Sequence, residues 1–250
     1  MPDLSDRQPS HAGAVVVGGV GEGLGFAVAA RFAAAGHPVV MLARSAERLG
    51  VFAQTIAASG GIAQGRAIDL REEEQVNTLF DEVSAEYGNI DAAIYNAGAQ
   101  HRRPLLEITG LAFEKVWRLG CFGAFVFGRE AVRHMVPWGK GTIIFTGATA
   151  SVRGGPEFAA FAAAKFGERA VAQSMAREFG PQGIHVASVI IDGGIDMPEI
   201  RRRYAAAGRV ITEDALLAPS AIAETYYQIH RQHRSAWTNE TELRPFGERY

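Results

Sequence analysis

The chain has 250 residues, of which 48% are hydrophobic and 21% are charged, and its formal net charge is −2 at pH 7. This near-neutral balance provides no strong field for binding nucleic acid or an anionic membrane. The single cysteine, Cys121, excludes an intrachain disulfide and the cysteine-rich kinds of zinc site. No apolar stretch is long enough to span a bilayer, and residues 1–10 lack the apolar core of a signal peptide. We therefore expect a soluble, cytoplasmic protein that binds neither nucleic acid nor membrane.

Short apolar runs alternate with amphipathic or alanine-rich segments along the chain. The apolar runs predict strands at 14–17, 39–42, 63–68, 92–95, 142–146 and 184–191, with a last short strand within 235–245. The other segments predict helices at 26–35, 45–59, 72–87, 111–136, 156–179 and 220–231. Such alternation is typical of a Rossmann-like α/β fold, a doubly wound parallel sheet of about seven strands with helices on both faces. Periodicity alone leaves other α/β folds open.

A glycine-rich turn lies between the first predicted strand and the first predicted helix, with the spacing Gly19-x3-Gly23-x-Gly25. Gly19 would permit the tight turn, Gly23 the approach of a pyrophosphate, and Gly25 the close packing of the helix on the sheet. Free N–H groups at the start of the helix would then bind the phosphates. The turn predicts a dinucleotide site, with a flexible loop as the alternative. The positions assigned to the site are Gly19, Val20, Gly21, Gly23, Leu24 and Gly25.

No repeat, low-complexity stretch or linker divides the sequence, so residues 1–250 are predicted to form a single dinucleotide-binding domain. Residues 1–12 are predicted to be a mobile tail. The segment 197–218 is rich in Arg and Ala, and we interpret it as a lid or a substrate-loop insertion.

The end of the second predicted strand indicates which dinucleotide binds. An NAD site usually has an acidic residue here, which accepts a hydrogen bond from the ribose 2′-hydroxyl. In this chain the strand ends Ala43-Arg44, and no acidic residue occurs before Glu47. The Arg44 guanidinium could instead pair with a 2′-phosphate. We therefore predict NADP(H) rather than NAD(H); the alternative is that Arg44 is a solvated surface charge.

Over nearly its whole length, the sequence resembles the short-chain dehydrogenase/reductase family. The resemblance is carried by the glycine spacing and by Asp69-Leu70, Asn96-Ala97-Gly98 and Phe161-x3-Lys165. It implies that the Asp-Leu pair lies beside the adenine, and that the Asn-Ala-Gly triplet supports the cofactor and the sheet. It also implies a homodimer or homotetramer that pairs through the two long helices.

Three positions depart from the family's catalytic residues. The family uses a Tyr-x3-Lys pair, a Ser thirteen residues before the Tyr, and an Asn in the preceding long helix. Here those positions hold Phe161, Ala148 and Gly120, and of the four residues only Lys165 is kept. Phenylalanine has no proton to donate, and loss of a general acid costs about 10²–10⁴-fold in rate. The chain thus resembles a divergent branch with Phe in the Tyr position. Other departures, where the family prefers Thr, Pro and Thr, are Gly18, Asp192 and Met197.

Lys165 is assigned both a catalytic and a cofactor-binding role. Its ammonium could bind the nicotinamide ribose hydroxyls without a tyrosine, whereas an exposed helix lysine is the alternative. Other candidate proton donors are Thr149, Ser151 and the histidine of His101-Arg102-Arg103, whose arginines could hold a substrate carboxylate. A solvated basic loop is the competing interpretation of that triplet.

Two functions remain open at this point. One is an NADP(H)-dependent oxidoreductase that transfers a hydride to or from an unknown small organic substrate. The other is a non-catalytic dinucleotide-binding pseudoenzyme that acts as a sensor or a scaffold subunit. No histidine pair has metal-ligand spacing with an acidic partner, so no metal is predicted.

Overall fold

The computed structural model describes residues 12–208, 210–212 and 214–247. Within them, seven strands form one parallel sheet in the order β3-β2-β1-β4-β5-β6-β7. The strands are β1 (Ala14–Gly18), β2 (Val39–Ala43), β3 (Ala63–Ala67), β4 (Ile90–Tyr95), β5 (Gly141–Ala148), β6 (Ile184–Ile191) and β7 (Glu240–Leu243). The predicted Rossmann-like sheet is confirmed. Residues 1–11 of the predicted tail lie outside the described residues.

Helices cover both faces of the sheet, as predicted. They are α1 (Leu24–Ala34), α2 (Ala46–Ala58), α3 (Glu73–Tyr87), α4 (Gly110–Trp117), α5 (Gly123–Met135), α6 (Ala159–Phe179), α7 (Pro198–Ala206) and α8 (Pro219–His230). One apolar core lies between the sheet and α3, α5 and α6, and the other lies between the sheet and α1, α2 and α8. Strand β4 supplies Ala93 and Tyr95 to the first core and Ala92 and Ile94 to the second. Among the described helices, none is long and apolar enough to cross a membrane.

The helix predicted over 111–136 is interrupted in the structure. A π-helical turn, Arg118–Phe122, separates α4 from α5. This turn packs closely on α6, because a Cβ at Gly120 would lie only 2.8 Å from the Cβ of Ala164. A Cβ at Gly167 would likewise overlap the Cys121 sulfur. Periodicity could not reveal the turn, since its cause is contact with a helix some forty residues later in the chain.

The sheet order places a cleft where the connections change face. Strand β1 leads into α1 on one face, whereas its neighbour β4 leads towards α4 and α5 on the other. In open α/β sheets, ligands bind outside the carboxyl ends of the strands at such a point. The glycine turn after β1 and the Asn-Ala-Gly triplet after β4 therefore lie at the same edge.

The segment predicted as a lid contains α7 and is closed at its base. Ile195 and Leu217 form an isolated parallel bridge. Asp196 N donates to Leu217 O at 2.8 Å, and Leu217 N donates to Gly194 O at 2.8 Å. Positions 209 and 213 within the segment lie outside the described residues. These contacts attach both ends of the segment beside the carboxyl end of β6.

Candidate active site

A cavity of about 910 Å³ opens at the carboxyl edge of the sheet. Its volume lies near the upper end of the range for small-molecule sites, about 300–1,000 Å³. The walls come from the glycine turn, the ends of β5 and β6, the start of α6, and α7. The predicted cofactor residues that line the cavity are Gly19, Gly21, Gly23, Leu24, Gly25, Asn96, Gly98 and Lys165.

Five other predicted cofactor residues do not line this cavity. Val20, Leu70 and Ala97 are buried in the apolar cores. Arg44 is exposed, and Asp69 is only half-buried. The roles assigned to these five residues therefore stay predictions.

Close backbone contacts shape the glycine turn. Gly19 has a φ of +82°, and a Cβ there would lie 2.6 Å from the amide nitrogen of Ala97. A Cβ at Gly25 would lie 2.7 Å from the carbonyl oxygen of Gly19. Asn96 fixes the same turn, because its Nδ2 donates to Gly19 O at 3.1 Å. The start of α1 has no side-chain cap, and Phe26 N donates to Gly21 O at 3.2 Å, so the N–H groups of Leu24 and Gly25 are the ones available to a phosphate.

We expect Gly19→Ala to destabilise the protein by at least about 1–2 kcal/mol and to abolish tight NADPH binding. The new methyl would force apart the turn and the Ala97 backbone, which the Asn96 amide holds together. Thermal unfolding and a fluorescence titration with NADPH measure the two effects. Gly50→Ala is the matched control, because a Cβ at Gly50 would meet nothing within 4 Å and Gly50 does not line the cavity. Equal behaviour of the two variants would contradict this account of the turn.

The Asp69 carboxylate is paired with Arg71. Arg71 Nε lies 2.9 and 3.1 Å from the two carboxylate oxygens, and Nη2 also donates to Oδ2. The hydrogen bond from Arg71 lowers the pKa of Asp69, and the charge of Arg44 adds to the lowering. Arg48, which was not predicted from the sequence, also lines the cavity. Its signal in the sequence was a position in the first turn of α2, directly after the second strand.

The other end of the cavity contains a buried ion pair. Lys165 Nζ donates to Thr146 O at 2.8 Å and lies 3.0 and 2.9 Å from Glu168 Oε1 and Oε2. The Lys165 side chain is 5% exposed and that of Glu168 is 1% exposed. Burial raises the pKa of Glu168 to about 7, and the neighbouring Lys165 opposes the rise. The exposed helix lysine considered as an alternative is therefore wrong. Glu168, the partner of Lys165, was not predicted from the sequence.

The two residues that the sequence resemblance assigns to the Tyr and Ser positions border the same space. Phe161 and Ala148 line the cavity together with Lys165. A Cβ at Gly98 would lie 3.6 Å from Lys165 Nζ and 3.9 Å from a ring carbon of Phe161, so the two side chains approach each other over Gly98. Gly120, in contrast, is buried behind them against α6.

The hydroxyls considered as replacement donors are engaged elsewhere. Thr149 lines the cavity, but its Oγ1 donates to the buried carboxylate of Asp192. Ser151 is fully buried, and its Oγ accepts from Ala148 N at 3.0 Å. Asp192 also binds Arg153 Nη2 at 3.2 Å, and Arg153 lines the cavity. In the described part of the chain, no cluster of three or more His, Cys, Asp or Glu side chains is placed to hold a metal ion.

Comparison with known proteins gives a consistent set of relatives. A family model described as short chain dehydrogenase matches residues 13–205. Versicolorin reductase 1 of Dothistroma septosporum is 30% identical over 203 residues, which cover 80% of this chain and 76% of that protein. The crystal structure of a short-chain dehydrogenase from Rhodopseudomonas palustris is 42% identical with a TM-score of 0.81, covering 95% of this chain and 100% of that chain. A metagenomic short-chain oxidoreductase crystallised with NADP has the same fold, with 22% identity, a TM-score of 0.80, and coverage of 94% and 98%.

Proposed function

The chain belongs to the short-chain dehydrogenase/reductase family, and from that premise we propose that it is an NADP(H)-dependent oxidoreductase in which Lys165, rather than a tyrosine, donates the proton. The observation that carries the proposal is the composition of the large cavity. A glycine turn suited to phosphates lies at one end, and a buried lysine beside Phe161 lies at the other. The substrate is a small organic molecule with an electrophilic carbon such as a carbonyl.

The residues at the glycine end fit a phosphorylated dinucleotide. Gly19 and Gly25 have no room for a side chain, so the backbone itself forms the wall there. Arg48 lines the cavity and Arg44 lies close enough to influence Asp69, so both can supply positive charge for a 2′-phosphate. The structural relative solved with NADP supports the same assignment.

The residues at the lysine end can hold and move a proton. When bound, NADPH supplies a hydride to the electrophilic carbon of the substrate. Lys165 can donate a proton from Nζ to the substrate oxygen, while Thr146 O keeps that nitrogen oriented. The carboxyl of Glu168, whose pKa is raised to about 7, can return a proton to Nζ. Phe161 contributes an apolar wall that excludes water from this exchange.

The second candidate is a pseudoenzyme that binds the dinucleotide without turnover. One observation favours it. Three acceptor oxygens, one from Thr146 and two from Glu168, already surround the three N–H groups of Lys165. Lys165 must release at least one of them to touch a ribose hydroxyl or a substrate oxygen.

The cofactor assignment predicts that Arg48→Gln and Arg44→Gln each weaken NADPH binding about tenfold or more, because a charge-assisted hydrogen bond is lost. NADH binding should change little in either variant. A fluorescence titration with both nucleotides measures these affinities. Arg177→Gln, on the exposed face of α6, is the matched control. Tighter binding of NADH by the wild type would overturn the assignment.

Turnover separates the two candidate functions. NADPH oxidation is followed with a panel of ketones, enones and imines, and the nucleotide affinity is measured in the same preparation. Oxidation of NADPH with any member supports the oxidoreductase. Tight binding without oxidation supports the pseudoenzyme, and absence of binding overturns both.

We also propose that α5 and α6 pair between copies of the chain, as the family resemblance implies. Phe125 is 40% exposed and lines a groove of about 410 Å³ with Val132, Val171 and Met175. Burial of such apolar area is the main driving force for association. Sedimentation velocity measures the oligomeric state directly. A dimer or tetramer is expected, and a monomer at micromolar concentration would contradict the proposal.

A further inference from the structure

A second cavity adjoins the first beside the lid helix. It has a volume of about 360 Å³ and is lined by Arg102, Phe158, Arg203, Tyr204 and Ala207. Phe158 and Arg203 also line the large cavity, so the two spaces share a wall. One guanidinium comes from the loop after β4 and the other from α7. Two cationic side chains, distant in sequence, thus border one small space.

Both guanidinium groups keep unused donors. Arg102 Nε donates to Glu157 Oε2 at 2.6 Å, and Arg203 Nη1 donates to Gln100 Oε1 at 2.9 Å. These are their side-chain acceptors within the described ranges. A guanidinium has five N–H groups arranged as a planar fork, which matches the two oxygens of a carboxylate.

The charges around the two cavities do not cancel. Among the described residues that line the two cavities, two are acidic, Glu22 and Glu199. Six are basic, namely Arg48, Arg102, Arg153, Lys165, Arg202 and Arg203. Arg202 makes no ion pair within the described part of the chain.

The turn that positions Arg102 has an unusual backbone. Glu157 has a φ of +67°, a left-handed conformation that residues other than glycine rarely adopt. Its carbonyl oxygen accepts from Arg103 N at 2.9 Å, and its carboxylate accepts from Arg102. These bonds fix the loop after β4 to the segment before α6. Strained backbone of this kind persists where its surroundings hold it, and it clusters at ligand sites.

The adjoining walls are apolar. Phe158, Phe161, Ile195 and Ile200 all line the large cavity. We propose that Arg102 and Arg203 bind a carboxylate of the substrate, whose apolar body fills the adjoining space and whose carbonyl group reaches Lys165. The substrate class is therefore an oxo acid with an apolar body. This inference rests on the proposed function, since the carbonyl matters only if the site carries out reduction.

Calorimetric titration tests the charge preference without requiring turnover. The probes are 4-acetylbenzoate, 4-oxocyclohexanecarboxylate and 6-oxoheptanoate, each compared with its methyl ester, with and without NADPH. At least one acid should bind about tenfold more tightly than its ester. Arg203→Gln and Arg102→Gln should each remove most of that difference. Arg201→Gln is the matched control, because Arg201 lies on the same helix, pairs with Asp196 and lines neither cavity.

The outcomes distinguish this inference from the proposed function. If none of the acids binds more tightly than its ester, or if the preference survives in both arginine variants, the carboxylate site is overturned. An arginine-dependent preference without NADPH oxidation would support the site and count against catalysis. Oxidation of NADPH with acids and esters at equal KM would support catalysis and overturn the carboxylate site.

Discussion

Lys165→Met is expected to destabilise the protein by up to about 3–5 kcal/mol at alkaline pH, where Glu168 is ionised in the wild type. The substitution leaves the Glu168 carboxylate, whose side chain is 1% exposed, without the cation that it faces. Among the described residues, Lys165 is the only side chain that donates to Glu168. An unpaired buried charge costs far more than the pair gains, so the penalty is larger than for any surface ion pair.

The penalty should also depend on pH. Burial already raises the pKa of Glu168 to about 7 when Lys165 is present, and loss of the cation raises it further. The folded variant then holds a proton that the unfolded chain releases above pH 4.5. Wild type and variant both lose stability as the pH rises from 4.5 to about 7, whereas above about pH 7 only the variant continues to lose it, by about 1.4 kcal/mol per pH unit. Urea unfolding should show a small deficit relative to wild type near about pH 5.5 and a large one near about pH 8.

Removing both charges should restore most of the stability. The double variant Lys165→Met/Glu168→Leu replaces a buried ion pair by apolar side chains of similar size, which is often neutral or stabilising. Arg169→Met is the control on the same helix, because its pair with Glu240 is 29% and 28% exposed and should contribute about 1 kcal/mol or less. A Lys165→Met deficit no larger than that of Arg169→Met would contradict the buried-charge account. The double variant is also the proper background for asking what Lys165 does in catalysis.

Much of the sheet could be predicted because the sequence of each central strand reflects its burial. A parallel strand between two helical layers is buried on both faces, so it appears as a continuous apolar run. Strands β1, β2 and β6 are buried at every position or nearly so, and all three were found from such runs. The glycine turn could also be predicted from the sequence. Its backbone lies so close to Ala97, and to itself, that only residues without side chains fit there.

The ion pair at the lysine could not be predicted in the same way. Glu168 follows Lys165 by three residues on α6, a spacing that surface helices use constantly. The same spacing gives a weak ion pair on the surface and a strongly coupled one when it is buried. Whether this pair is buried depends on how α6 packs against β5 and the π-helical turn. The contacts of Asp192 with Thr149 and Arg153 pose the same problem, because they join segments about forty residues apart. The direction of Arg48 into the cavity likewise depends on where α2 lies against the sheet.

Phe161→Tyr combined with Ala148→Ser is expected to raise NADPH-dependent ketone reduction by about 10²–10⁴-fold. Both positions line the cavity, and the Phe161 ring approaches Lys165 over Gly98. A phenol and a serine hydroxyl at these positions would add, beside Lys165, the proton donor and the substrate-orienting group of the family pattern. The initial rate of NADPH oxidation with a simple ketone measures the gain. Phe158→Tyr is the matched control, because it adds a phenol to the same cavity at a different place.

Of the three family residues that the chain departs from, only the Tyr and the Ser can be reintroduced without a steric clash. Gly120→Asn would add a side chain where even a Cβ lies 2.8 Å from the Cβ of Ala164, so the fourth position is closed by packing. Lys165 also remains hydrogen-bonded to Glu168 in the double variant, and this bond competes with a new phenol for the ammonium. Adding Glu168→Gln keeps the size of the side chain but removes its charge. The triple variant should therefore exceed the double variant in rate.

The order of rates decides between the two proposed functions. A wild type that already reduces the ketone as fast as Phe161→Tyr/Ala148→Ser has its own proton donor, and loss of that rate in Lys165→Met/Glu168→Leu would identify it as Lys165. A wild type that binds NADPH without turnover, next to an active double variant, would instead identify a pseudoenzyme whose missing groups are the two hydroxyls. If Phe161→Tyr/Ala148→Ser gains no activity over the wild type while both proteins still bind NADPH, the two missing hydroxyls are not what limits the chemistry. In that case the rate of the triple variant, in which Glu168→Gln removes the charge that faces Lys165, tests whether this ion pair limits the chemistry.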